Sequence, residues 1–283
     1  MDGCERCASD GISEARRLGH VYTLCHALFQ SGFVTANLKS PSQALPEFQE
    51  LRSVAHEHGI AFFEICATIM MGWCLCHMGE RERGWPQLSG GVAAYRSSGC
   101  MLYVPSFLRF EAEALAMLGR HDDALKRVAE AQAAARETAA RWDEPEIVRL
   151  RGELLAATGD YAGARTAFVD AIHESRSCGA RLFELRAAMG LAELELESGD
   201  PGSGREFFLT VHPLVRGGSE SVDLDRARAL AERLAPTAPH RSGAPLGGGF
   251  SAWARRWSAR SPRRRATSLA TAPPPRRCSR RRS

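Results

Sequence analysis

Glycine recurs in this chain at a fixed stride of forty residues. Gly79, Gly119, Gly159 and Gly199 share one column, with Lys39 standing in it a step earlier. A second column, twenty residues away, holds Gly19, Gly59, Gly99, Ala139 and Gly179, with Ser219 next. Glycine enters a left-handed helix C-cap at little steric cost, so two such columns predict two helices per unit with a break after each. Ser40 and Asp200 are good N-caps, each followed by a proline (Pro41, Pro201) suited to the first helical turn, and Asp160 fits the same role. Each unit therefore reads as a helical hairpin, with helices of ~16 to 18 residues and ~25 Å at 1.5 Å rise per residue.

The side chains that repeat say how hairpins pack. Leu75, Leu115 and Leu155 align, as do Phe62, Leu102, Trp142 and Leu182. Phe48, Leu88, Val128, Phe168 and Phe208 form a column of large residues. Four positions before each stands a small one: Ala44, Gly84, Ala124, Ala164 and Gly204. A small residue lets paired helices approach, and the large residue one turn on fills the space beside them. No single hairpin buries both its faces, so neighbours must stack into a solenoid.

The order Gly152, Leu155, Gly159, Tyr161, Ala164, Phe168, Ala171 resembles the tetratricopeptide repeat (TPR). Two features depart from it: the unit is ~40 rather than ~34 residues, and the proline that often closes the second helix is missing. The segments "EARRLGH", "GWCLCHMGE", "AYRSSGC" and "GARLFELRAAMGLAEL" are similar to the repeat arrays at the C-terminal ends of bacterial multidomain signalling regulators. "SVDLDRARALAERL" resembles the closing helix of such arrays. In those proteins a cyclase or DNA-binding domain and a predicted ATPase precede the repeats. The resemblance implies an all-α, right-handed α-solenoid of antiparallel hairpins. Residues 1–19 are expected to be a partial leading repeat helix, with 4–18 the second helix of an unfinished unit. Residues 20–235 are expected to hold about five hairpins and a closing helix, and the chain to be a fragment of a longer regulator.

Composition bears on partners. The net charge of +4 conceals a division: residues 241–283 contain twelve arginines and no acid, which leaves the rest near −8. The tail, 236–283, has too few apolar residues for a core and is expected to be disordered. Arginine clusters bind phosphate backbones weakly and nonspecifically; the alternative is a solvated tail translated past an original stop. No apolar core marks the first twenty residues as a signal peptide. The stretch 60–79 is long enough to span a bilayer, but Glu64 and His77 interrupt it and it keeps step with the repeats, so a buried solenoid helix is expected. The expected compartment is the cytoplasm, with no membrane contact and the nine cysteines reduced. Cys66, Cys74, Cys76, Cys100 and Cys178 sit in apolar contexts where cysteine acts as a small hydrophobe.

No motif carries chemistry. Lys39 and Lys126 are the only lysines, and neither follows a glycine-rich phosphate loop. Cys4-x-x-Cys7 with Cys25 and His26 could be drawn as a zinc site, but adjacent helical residues point ~100° apart. His20, His56, His58, His121 and His173 have no partner at a catalytic spacing. The expectation is no catalytic residue, no metal and no cofactor. By the resemblance, the first helix of each hairpin lines a concave groove, which would place Trp73, His77, Arg109, Glu113, Glu146, Arg149, Glu153, Arg186, Glu193 and Glu197 there as seats for a protein or peptide. Read from the residues alone, Arg109 with Glu113 and Arg149 with Glu153 could equally be i,i+4 pairs on a solvated face. The groove reading predicts that charge reversal at Arg109 and Arg149 weakens partner capture and leaves the melting curve unchanged. The alternatives are a nucleic-acid-associated regulator using the basic tail, and an effector-binding repeat module.

Overall fold

The structure, a computed structural model, describes residues 2–199, 202–215 and 221–235. Asp200, Pro201, Ser219 and the tail from 236 lie outside the described residues, and with them the expectations made for those positions. Twelve α-helices follow one another: α1 (Asp2–Leu18), α2 (Val21–Leu38), α3 (Pro41–Glu57), α4 (Ala61–His77), α5 (Arg81–Ser97), α6 (Val104–Met117), α7 (His121–Thr138), α8 (Glu144–Thr158), α9 (Tyr161–Ser177), α10 (Arg181–Ser198), α11 (Gly204–Val211) and α12 (Val222–Leu234). Short 3-10 turns, Arg141–Asp143 and His212–Leu214, precede α8 and follow α11. No strand occurs among the described residues.

The breaks fall where the glycines stand. Gly19, Gly59, Gly79, Gly99, Gly119, Gly159, Gly179 and Gly199 all have positive φ, and Ala139 takes their place in the column at φ 54°. That residue accepts a left-handed conformation that a Cβ disfavours, so the stride overrides local preference. The caps also follow the reading. The Ser40 side chain accepts from the Gln43 amide, Pro41 opens α3, and Asp160 Oδ1 accepts from the Gly163 amide at 2.9 Å.

Hairpin packing rests on a small residue at both partners. Phe48, Leu88, Val128, Phe168 and Phe208 are each no more than 1% exposed. Each lies sixteen positions after a small residue of the preceding helix: Gly32, Gly72, Ala112, Gly152 and Ala192. A Cβ on Gly32 would meet the Phe48 ring at 2.6 Å, and one on Gly152 the Phe168 ring at 3.0 Å. The approach is closest between α4 and α5, where a Cβ on Gly72 would lie 2.5 Å from the Leu88 backbone nitrogen.

Consecutive helices from α1 to α11 pack against each other, and α2, α4, α6, α8, α10 and α12 also touch in series. The odd-numbered helices make no comparable series, so the even ones form the inner layer of a curved α-solenoid. α4 is buried along most of its length, and no helix among the described residues is long and apolar enough to cross a membrane.

Two expectations are corrected. Leu102 and Trp142 are 54% and 44% exposed, and Phe62 and Leu182 are half-buried. In two of the four units the buried position is the next one along, Phe63 and Asp143, whereas Tyr103 and Phe183 are half-buried; one residue turns a helix by ~100°. Cys178 is exposed rather than buried, whereas Cys66, Cys74 and Cys76 are buried. Burial pushes the Cys76 thiol up to about 11, against the pull of Arg81.

Candidate functional site: an ion-paired inner wall and its chamber

A stride of forty puts equivalent residues of successive inner helices beside each other. Trp73 on α4 donates through Nε1 to Glu113 Oε2 on α6 at 2.8 Å, and Arg186 Nη1 on α10 donates to Glu146 Oε2 on α8 at 3.2 Å. Both pairs are one unit apart.

The charged residues of the inner face join into a buried ladder. Arg109 donates through Nε to Asp143 Oδ2 at 2.8 Å and through Nη1 to Glu113, with its guanidinium 4.3 Å from the Phe110 ring centre. Arg149 bonds Glu146 (Nε to Oε1, 2.9 Å) and Glu153 (Nη1 to Oε1, 2.8 Å). Arg186 reaches Asp223 on α12 at 2.7 Å, and Arg226 on α12 is paired with Glu193 on α10. Arg109, Glu113, Asp143, Glu146, Arg149 and Glu153 are all under 7% exposed. The solvated-face alternative therefore fails: curvature brings neighbouring inner helices close enough to exclude water from these pairs.

Electrostatics follow from that burial. Burial favours the neutral carboxyl of Glu113, yet Arg109 and His77 beside it hold its pKa well below the usual range. At Asp143 burial wins over Arg109 and the pKa rises. Arg109 and Arg149 lose solvation, but their carboxylates more than compensate and keep both charged.

The chain's own α2 crosses this face. Phe29 meets Tyr103 (ring centres 5.2 Å), Phe33 meets Phe110 and Trp142 (each 5.7 Å), and the Asn37 carbonyl accepts from Arg186 Nη2 at 2.6 Å. Contacts at 29, 33 and 37 lie on one stripe of α2, which steps from α6 to the turn before α8 and on to α10. The array thus curls until its first inner helix meets its last full hairpin.

Beyond the C-terminal end of α2 a chamber of about 760 Å³ remains. It is lined by Trp73, His77, Arg109, Glu113, Glu146, Arg149, Arg186 and Glu193 from the groove residues read in the sequence. Glu153 sits behind Arg149, and neither Glu153 nor Glu197 lines it. Asn37, Lys39, Asp223, Arg226 and Arg233 line it without having been read as groove residues. A signal existed for two of these: Arg226 follows Arg186 by forty, and Arg233 follows Glu193 by forty. Asp143 had none, since it belongs to a 3-10 turn.

Elsewhere, His56 Nδ1 lies 3.1 Å from Glu64 Oε1 on the surface, a carboxylate partner that the sequence spacing did not offer. Among the described residues no group of three or more His, Cys, Asp or Glu is placed to hold a metal ion. On the side of α6 facing α7, Glu111 is 3.1 Å from Arg127 Nε. Burial pushes its carboxyl up to about 7, against Arg127 and Arg96. A folded pKa above the ordinary 4.5 means that stability from this group is present at low pH and lost as pH rises through about 7. Glu111→Gln is expected to exceed wild type by about 1–3 kcal/mol near pH 8 and to converge with it near pH 4. Urea denaturation at the two pH values measures the difference.

No family model matches the chain, and no curated protein matches it in sequence. Among solved structures it is similar to BtubC (BKLC) from P. vanneervenii, at 14% identity and a TM-score of 0.48, covering 87% of this chain and 97% of that one.

Proposed function

We propose that this chain is a noncatalytic, right-handed TPR-type scaffold that binds a protein or peptide, and that it forms the interaction part of a bacterial signalling or transcriptional regulator. The observation that carries the reading is the chamber: side chains from the α2–α3 corner and from α4, α6, α8, α10 and α12 converge on one space. Six separate elements shape a seat there, while the charged groups are engaged with one another rather than arranged as nucleophile and base. Ala229 lines the chamber from the exposed side of α12, so Ala229→Trp fills the space without breaking an ion pair. Peptides selected by display on the full chain are expected to lose binding to Ala229→Trp. Selection that yields no binder, or binders indifferent to that variant, would overturn the reading.

A second reading, an effector-binding repeat module, is favoured by the chamber's size. About 760 Å³ falls within the range of small-ligand pockets, ~300–1,000 Å³.

A further inference from the structure

The beginnings of the inner helices share an aromatic edge. Tyr22 stands in the first turn of α2, Met101 and Leu102 in the turn before α6, and Trp142 in the 3-10 turn before α8. All four are 42–55% exposed. Ring contacts run beneath them from Tyr22 to Phe63 (centres 5.1 Å), Phe63 to Phe29 (6.4 Å), Phe29 to Tyr103 (5.2 Å) and Tyr103 to Trp142 (6.4 Å). These exposed apolar side chains are therefore neighbours on one surface, and a contiguous apolar patch marks an interaction site.

The chain carries a segment suited to cover that edge. After Phe208 the only Phe, Tyr or Trp residues are Phe250, Trp253 and Trp257, in the stretch FSAWARRW. The spacing i, i+3, i+7 falls on one face of a helix, the pattern by which a helix anchors in an apolar groove. The tail around them offers too few apolar side chains to cover three large rings, so the surface that can take them out of water is the body's. Charge agrees, since the twelve arginines of 241–283 meet a body near −8. Reach agrees as well. Arg186 bonds both Asp223 at the start of α12 and Glu146 at the start of α8. The far end of α12 is thus separated from Trp142 by little more than the ~20 Å of its own 13 residues and two side-chain bridges. The fourteen residues 236–249 can span up to ~46 Å.

We infer that the aromatic edge is the docking surface for the chain's own segment 250–257, with Phe250, Trp253 and Trp257 set against Tyr22, Leu102 and Trp142. Tethering on the same chain keeps the segment at high effective concentration beside the edge. The inference is independent of the chamber and of what occupies it.

Photo-crosslinking in the full chain tests it, with p-benzoylphenylalanine at position 102 and mass spectrometry to identify the peptides joined. Crosslinks to residues 250–257 of the same chain are expected. Their yield is expected to fall at least fivefold when Phe250→Ser, Trp253→Ser and Trp257→Ser are combined. The same probe at position 118, which follows α6 at its other end and is 38% exposed, is expected to give no such crosslink. A mixture of isotope-labelled and unlabelled chains separates crosslinks within one molecule from those between two. A thermal melt matching wild type shows that the probe is tolerated, and position 101 replaces 102 should it not be. Crosslinks to body residues alone, crosslinks to a second copy, or a tail crosslink that survives the triple change or forms equally from position 118 would overturn the inference.

Discussion

Arg109→Ala is expected to destabilise the fold by about 3–5 kcal/mol, the cost of removing one partner of a buried charge cluster. Arg109 is 3% exposed and holds both Asp143 and Glu113. Its loss leaves the buried Asp143 carboxylate without its guanidinium and leaves Glu113 to rely on His77 and Trp73. Arg120→Ala, by comparison, removes a pair with Asp123 whose side chains are 52% and 41% exposed, and is expected to cost ~0–1 kcal/mol. Urea denaturation of the two variants side by side measures the contrast. The groove reading of the sequence expects charge reversal at Arg109 and Arg149 to leave the melting curve unchanged. Burial of both residues inverts that expectation: reversal places like charges together inside the wall, and the melt falls. These residues are thus poor probes of partner capture, which is why the chamber test uses Ala229.

Gly84→Ala is expected to cost about 1–3 kcal/mol or more, although alanine is favoured over glycine in a helix by ~1 kcal/mol. The sign is decided by space. A Cβ on Gly84 would lie 2.6 Å from the Gly72 carbonyl oxygen and 2.7 Å from the Cys76 nitrogen. Both are backbone atoms of α4, so relief requires the two helices to separate, and Leu88 then loses its seat over Gly72. Gly90→Ala on the same helix meets nothing within 4 Å and is expected to stabilise slightly. Opposite shifts in thermal midpoint for these two variants would separate the packing effect from helix propensity.

The hairpin was legible in the sequence because its determinants are local or repeat in place. A glycine at each break, a small residue and a large one a turn later mark Gly159, Ala164 and Phe168 without reference to any distant part of the chain. The inner wall was legible in identity but not in environment. Trp73, Arg109, Glu146 and Arg186 are placed on the inner face by the repeat resemblance carried along the stride. Whether that face meets water depends on the curvature summed over all the hairpins, which no single unit encodes. The same limit hid α2, whose Phe33 and Asn37 look like ordinary residues of a first inner helix until the array curls around them. The column of Phe62, Leu102, Trp142 and Leu182 misled for a simpler reason: repetition shows that positions are equivalent, not which way they point. The α12 residues were hidden by a boundary, since the forty-residue stride continues from Arg186 to Arg226 across a unit whose second helix, α11, has only 8 residues.

Curling of the array until α2 lies across α6, the turn before α8, and α10 is the claim on which the buried wall and the chamber depend. Its most direct test is the nuclear Overhauser effect between the Phe33 and Trp142 rings in the full chain with selectively labelled aromatics. Ring centres 5.7 Å apart at an interplanar angle of 66° predict a cross-peak between residues that lie three hairpins apart in sequence. A spectrum in which Phe33 shows contacts to neighbouring helices and none to Trp142 would mean an open array, and would contradict the account.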